Sequence, residues 1–244
     1  MAKVSVIIPF YNCRYVDQAI VSALNQTYQD TEIILIDDGS TDHIDKLLPY
    51  LSKIRYIRQM NGGTAKALNH GFRVATGDYV VWLSSDDMFY PNKIEDQVRF
   101  MKERNALFSY TDYHVINDQS QVVTPHATAK FWSFRALIEA FAEYCPINGC
   151  TVMMKKDIFE KAGYFNEALI YTHDYDFWLR LLTRGIVFHF INAPLTAYRR
   201  HEQMGTVRFI DSIEVELGQV RQFYKGQLES ILSNSGNIEN RYPL

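Results

Sequence analysis

Short, nearly continuous apolar runs alternate with stretches of helical periodicity through the first part of the chain, and this alternation limits the fold more than any other feature. Residues 4–9 (VSVIIP) and 32–36 (EIILI) are such runs, residues 54–58 are a weaker third, and residues 79–83 (YVVWL) a fourth. Runs this short suit strands covered on both faces. Between them, residues 15–26 carry Val16, Ala19, Ile20, Ala23 and Leu24 at helical spacing, and residues 65–75 read as a second helix. Strand and helix at this pace mean βαβ units. The expectation is an α/β fold with a mostly parallel central sheet and helices on both faces. Ser40 or Thr41 is expected to cap a further helix after the second strand.

The second half is less regular. Strands are expected over residues 106–114, 151–155 and 187–191, and helices over 131–144, 156–162 (ended by Gly163), 174–183 and 210–232. The last of these has apolar residues at 210, 213, 217, 220, 224, 228 and 231, a stripe that must be buried against the body or in a dimer seam. From Ser233 onward the sequence is polar, and a loose tail is expected.

The composition is that of a globular chain, with 47% hydrophobic and 22% charged residues and a formal net charge of −3. So little net charge gives no overall field for nucleic acid or an anionic membrane. Arg199, Arg200 and His201 form one local basic patch. Cys13, Cys145 and Cys150 make a poor disulfide framework and suit a reducing compartment. Met1-Ala2-Lys3 runs straight into the first strand without a signal-peptide pattern, and no apolar stretch approaches the ~20 residues that span a bilayer. A cytoplasmic protein is expected, with peripheral contact at the inner face of a membrane left open.

Ligands of open α/β sheets bind beyond the carboxyl ends of the strands. Here the first strand ends in Pro9-Phe10-Tyr11-Asn12, the second in Asp37-Asp38 and the fourth in Ser84-Ser85-Asp86-Asp87. Adjacent carboxylates repel unless a cation or hydrogen-bond donors lie between them. Hard oxygen ligands of this kind suit Mg²⁺ or Mn²⁺. A single Asp-Asp pair after a strand is as often a turn or cap, but two pairs closing two apolar strands make a stronger pattern. No Gly-x-Gly-x-x-Gly follows a strand, which argues against a dinucleotide dehydrogenase, and no Gly-rich loop follows the first strand as a sugar-nucleotide pyrophosphorylase would need.

These pieces, in order, resemble family 2 glycosyltransferases of the GT-A fold. The matching segments are VSVIIPFYN, YVDQAIVSALNQTYQDTEIILIDDGSTD, NGGTAKALNHGF, ATGDYVVWLSSDDMFYPNKIE, HDYDFWLRLL and APLTAYRRH, running from Val4 to about His201. The resemblance implies a catalytic domain over residues 1–205, with a nucleotide-sugar half (1–100) and an acceptor half (101–205). Residues 206–244 form a helical extension and tail.

The resemblance also implies site residues. Pro9, Phe10 and Tyr11 would lie against the nucleotide base, and Asp38 would accept a hydrogen bond from the imide N–H of a base such as uracil. Gly63, after Asn61 and Gly62, would let the chain approach the donor. Lys66 would meet phosphate, though a solvated surface lysine is an equal alternative. Asp86 would hold the ribose or a metal water. Asp87 would bind Mn²⁺ or Mg²⁺, and His201 would reach the metal or diphosphate unless it is a surface histidine. Asp174, starting the HDYDFW helix, would be the general base, with a helix cap as its other reading and Asp176 as the next candidate. Gly149, Cys150, Phe165, Tyr171, His173 and Trp178 are expected on the acceptor side, Trp178 more readily as core. The chain departs from the family pattern at Ser84, Leu68 and His173, where relatives carry aspartate, arginine and glutamate.

The function implied is inverting transfer of a sugar from a nucleoside-diphosphate sugar, UDP-sugar first, to a hydroxyl of a carbohydrate, lipid-linked or protein acceptor, in polysaccharide or glycoconjugate synthesis. The alternative is a catalytically inactive sugar-nucleotide-binding partner subunit.

Overall fold

Strand β1 (Val4–Phe10) places Val4, Val6, Ile8 and Phe10 on one face and Ile7 on the other, and this alternation decides where the helices pack. In the computed structural model, which describes residues 2–233, the chain continues through α1 (Val16–Leu24), β2 (Thr31–Asp37), β3 (Arg55–Arg58), α2 (Thr64–Val74) and β4 (Tyr79–Trp82). Then come β5 (Met88–Phe89), α3 (Lys93–Glu103), β6 (Phe108–Ile116), β7 (Val122–Thr124), α4 (Phe134–Glu143), β8 (Met153–Lys155) and α5 (Lys156–Ala162). The chain closes with α6 (His173–Thr183), β9 (Phe188–Arg199), α7 (Gly205–Arg208) and α8 (Ile210–Ser233). The polar tail expected after Ser233 lies outside the described residues.

The strands form one sheet in the order β3-β2-β1-β4-β8-β6-β9-β5, with β7 added at β6. The first four strands pair in parallel, as the βαβ rhythm requires. Beyond β4 the pairing is mixed: β8 runs antiparallel to both β4 and β6, β9 is parallel to β6, and β5 is antiparallel to β9. The chain winds outward from β1 to β3, then returns to the other side of β1 as β4. The β1/β4 junction is therefore the point of reversal, where a crevice opens beyond the strand ends.

Each face of the sheet has its own core. Val4, Val6, Ile8, Ile33, Leu35 and Val81 pack with residues of α1 and α3. Ile7, Ile34, Ile36, Val80 and Phe108 pack with residues of α2, α4, α5, α6 and α8. Trp178 is core, edge-on to Phe108 at a centroid distance of 5.1 Å. The α8 stripe is buried within the chain, through Val220, Tyr224 and Leu228, against α4 and α6. Among the described residues no helix is long and apolar enough to cross a membrane.

Local differences from the sequence reading have physical causes. Residues after β2 form a 3₁₀ segment (Ile44–Tyr50), started by His43 at φ 61° and interrupted by Pro49. Ser40 and Thr41 cap nothing there; the buried Ser40 hydroxyl accepts from the Asn12 amide at 3.1 Å, and its own N–H donates to Asp37 at 2.7 Å. The last strand is longer than expected and carries the chain on to Arg199.

Candidate active site

The fourth strand delivers Ser84-Ser85-Asp86-Asp87 into a tight turn closed by the Asp87 N–H on the Ser84 carbonyl at 3.1 Å. Asp87 is 1% exposed. Its Oδ1 accepts from the Arg199 backbone N–H at 2.8 Å, while Oδ2 is buried with no hydrogen-bond partner. Burial, and then the charge of Asp86, hold its pKa well above the usual carboxylate range. The Cys150 thiol sits beside it, 3.2 Å from the Ser84 hydroxyl, and burial and the Asp87 charge push that thiol well up. At Ser84, one of the three departures from the family pattern, this chain has a Ser84–Cys150 contact.

Arg199 organises the turn. It is fully buried, and its guanidinium donates to the Asp86 carbonyl (2.8 Å), the Asn117 carbonyl (2.9 Å), the Ser120 hydroxyl (3.0 Å) and Gln18 (2.7 Å). Its charge lies 4.2 Å from the centroid of the Tyr15 ring. The expected basic patch is thus partly internal: Arg199 ties the acidic turn to α1 and to the β6–β7 turn, and Arg200 alone of the two arginines is exposed. Two residues on, His201 Nε2 lies 3.1 Å from Asp86 Oδ2, and the ring packs on Tyr15 at 5.4 Å. His201 Nδ1 is buried without a partner. Asp86, Asp87 and His201 therefore come together.

The residues expected around the base divide. Phe10 is wholly buried in the core on the α1 side, so of Pro9, Phe10 and Tyr11 it has no surface to offer a ligand, while Tyr11 is 56% exposed. Asp38 is buried and accepts from Gln59 Nε2 (2.7 Å) and from the Gly62 and Gly63 amides (2.9 and 2.8 Å). Three of about four lone-pair sites are thus spent on the protein, leaving room for one further donor. Gly63 has φ 87°, a conformation that suits glycine, at the start of α2. Lys66 is exposed, lies over Gly62 and makes no ion pair among the described residues. Leu68, another of those departures, is wholly buried and offers no side chain to a phosphate.

Asp174 stands in the first turn of α6 and is half-buried. Its Oδ1 accepts the Tyr175 N–H at 2.7 Å, and burial raises its pKa. Asp176 is committed elsewhere: it pairs with Arg180 and accepts the Tyr224 hydroxyl at 3.0 Å. His173 packs between Trp82 and Phe165, both ring nitrogens unpartnered, and burial lowers its pKa so that a neutral ring sits beside Asp174. The expected acceptor wall is largely interior: Gly149, Cys150, Phe165, His173 and Trp178 are buried, and Tyr171 alone of the six keeps surface. Arg199 and Gln59 escaped the sequence reading as site residues, and Cys150, expected on the acceptor side, lies instead against Ser84 and Asp87; the YRRH segment pointed to Arg199, but its burial is a tertiary fact.

A profile of glycosyl transferase family 2 matches residues 5–163, more than half of the chain. The chain belongs to this family. It is a glycosyltransferase, and curated relatives carry that description. An uncharacterized glycosyltransferase of Rickettsia typhi is 38% identical over 217 residues, covering 86% of this chain and 68% of the relative. One from Rickettsia conorii is 37% identical over 212 residues but is much longer, with 35% of its length covered. The UDP-Glc:alpha-D-GlcNAc-diphosphoundecaprenol beta-1,3-glucosyltransferase WfaP of Escherichia coli is 34% identical over 207 residues, 82% of this chain and 78% of that protein. In structure, the glycosyltransferase resembles S. aureus TarS 1–349 in complex with UDP, with a TM-score of 0.73 at 18% identity, over 98% of this chain and 72% of that one. This likeness identifies the GT-A fold, including the C-terminal helix.

Proposed function

We propose that this glycosyltransferase moves a sugar from a UDP-sugar to an acceptor hydroxyl with inversion at the anomeric carbon, and that Asp174 is the general base. The observation that carries the reading is the contrast along α6. Asp176 is locked by Arg180 and Tyr224, whereas Asp174, two residues earlier, is free of side-chain partners among the described residues and has a raised pKa. A carboxylate of raised pKa is the better proton acceptor. It takes the proton of the attacking hydroxyl as the new C–O bond forms. The bond from the anomeric carbon to the diphosphate breaks with its electron pair on the leaving oxygen. One displacement without a sugar–enzyme intermediate inverts the centre.

A divalent ion suits the residues present. Asp87 has a buried oxygen without a partner, Asp86 precedes it in the turn, and His201 lies against Asp86. Among the described residues no group of three or more acidic, histidine or cysteine side chains is placed so that it could hold a metal ion. The reading therefore needs an ion that takes one or two carboxylates and completes its shell with water and phosphate oxygens, as Mg²⁺ and Mn²⁺ do. Asp87, with Asp86 next to it, would hold the ion, His201 would reach the diphosphate, and a bound ion supplies charge to stabilise the leaving group. On the base side, Tyr11 offers an exposed ring and Asp38 one remaining acceptor site for an imide N–H. The names of WfaP and of TarS complexes with UDP and UDP-GlcNAc support a UDP-sugar donor, and WfaP supports a lipid-linked sugar diphosphate as acceptor class.

Thermal shift with UDP, with and without Mn²⁺, tests the donor half. UDP should stabilise the fold, more strongly with the ion, by mass action on the folded state. Asp87→Ala should abolish the ion-dependent part, and His201→Ala should weaken UDP while sparing uridine. If a chelator leaves both UDP binding and sugar release unchanged, the ion has no part. For the base, Asp174→Asn should lower turnover by on the order of 10²-fold or more with UDP affinity intact. Near-normal turnover in that variant would remove Asp174 from the role.

A further inference from the structure

The C-terminal helix lies beyond the stretch that matches the family profile, which ends at residue 163. Its residues Glu216, Val220, Tyr224 and Leu228 recur every fourth position and share one face. Val220, Tyr224 and Leu228 are buried in the core. Glu216 does something else. Its Oε1 accepts the Ile170 N–H at 3.1 Å, and its Oε2 accepts the Tyr171 N–H at 2.9 Å, the Thr172 N–H at 3.1 Å and the Thr172 hydroxyl at 3.0 Å.

Three successive backbone N–H groups turned toward one point make a concave anion site, and here the anion is the protein's own carboxylate. The site is the lead-in to α6. Thr172 is the residue before the helix, and its hydroxyl donates to Glu216 instead of capping the helix. The Thr172 carbonyl accepts the first helical bond, from Asp176 N–H at 3.0 Å. Two turns along α8, the Tyr224 hydroxyl donates to Asp176. One helix thus holds residues 170–172 and 176, on either side of Asp174.

We propose that Glu216 is a positioning residue for the base: its carboxylate fixes the backbone that aims Asp174 at the acceptor hydroxyl. The inference rests on the reading of Asp174 as base. Proton transfer needs hydrogen-bond reach, and a misplacement of about 1 Å costs on the order of 10²-fold in rate. A glutamine in place of Glu216 keeps the shape. It has one acceptor oxygen and presents an NH₂ to backbone N–H groups, so part of this set of bonds is lost.

The test compares Glu216→Gln, Val220→Ala and Asp174→Asn in the otherwise intact chain, below the melting range of all three. The readouts are UDP release with Mn²⁺ from whichever of UDP-glucose or UDP-GlcNAc turns over faster, UDP binding, and amide hydrogen exchange over residues 170–176. Glu216→Gln is expected to lower kcat by ten- to a hundredfold with KM for the UDP-sugar within twofold, and to raise exchange at Ile170, Tyr171 and Thr172. Val220→Ala, a loss of packing on the same stripe, is expected to lower the melting temperature but keep kcat. If Glu216→Gln keeps kcat within twofold while Asp174→Asn has lost turnover, Glu216 does not position the base and the inference falls. Equal loss of kcat in Val220→Ala overturns it as well, since any loosening of α8 would then suffice. If Asp174→Asn turns over normally, the base assignment itself has failed, and that outcome is separate from the other two.

Discussion

Lys93 is fully buried, with its ammonium donating to Gln97 and lying 4.5 Å from the centroid of the Phe89 ring. Burial lowers its pKa to about 7, against roughly 10.4 for a lysine in an unfolded chain. Between those values the unfolded chain binds the extra proton, so this group makes stability rise with pH from about 7 to about 10 and contributes no slope below 7. Lys93→Met should remove that rise. Urea denaturation of both proteins across this range checks it, the difference between the two curves being the quantity of interest. At the site, burial raises the pKa of Asp174. If Asp174 is the base, as proposed, its ionised form does the work, and turnover should rise with pH through an apparent pKa above the ordinary carboxylate value of about 3.9. A pH–rate profile whose acid limb falls at or below that value would contradict the burial argument. The carboxylates at the strand ends were legible in the sequence because ionisable residues that close an apolar run need a reason. Arg199 was not, since a buried guanidinium satisfied by carbonyls looks, in one dimension, like any arginine in a basic patch.

Among the elements, β1, β2 and β4 were readable because each is an apolar run with a polar stop, and β3 (RYIR) gave a weaker signal. Helix α3 was not, and the reason is physical. Its inward face mixes Ile94, Val98 and Met101 with the buried polar side chains of Lys93 and Gln97, so the apolar stripe is broken. The stripe of α8 was plain, but whether it faced the body or a partner was not. Its burial against α4 and α6 makes an asymmetry testable on one helix. Leu228→Ala should cost roughly 2–5 kcal/mol, the usual range for a truncated core leucine. Phe223→Ala, on the exposed side of the same helix at 70% exposure, should change stability by less than about 0.5 kcal/mol. Chemical denaturation of both variants decides, and equal effects would mean that the helix packs differently.

At the scale of the molecule, the α/β class followed from the alternation of patterns, and the parallel half of the sheet followed with it. The mixed half did not: β8 falls in the strand expected over residues 151–155, but β5 and β7 are two and three residues long and leave no periodicity to read. Yet that half finishes the site. Strand β9 pairs with both β6 and β5, and its last residue binds the Asp87 carboxylate and the Asp86 carbonyl. A chain ending at residue 163, the limit of the profile match, should fail to form a soluble folded species and show no melting shift with UDP. Circular dichroism and gel filtration would register this.

The bond from Arg199 to Asp87 joins positions 112 residues apart in the chain. During translation at roughly 5–20 residues per second, the acidic turn leaves the ribosome on the order of ten seconds before the strand that completes it. Through that interval Asp87 is without its backbone donor. The candidate site is therefore among the last parts to mature. Nascent chains stalled short of residue 199 should therefore fail to retain UDP, and chains released beyond it should gain that ability.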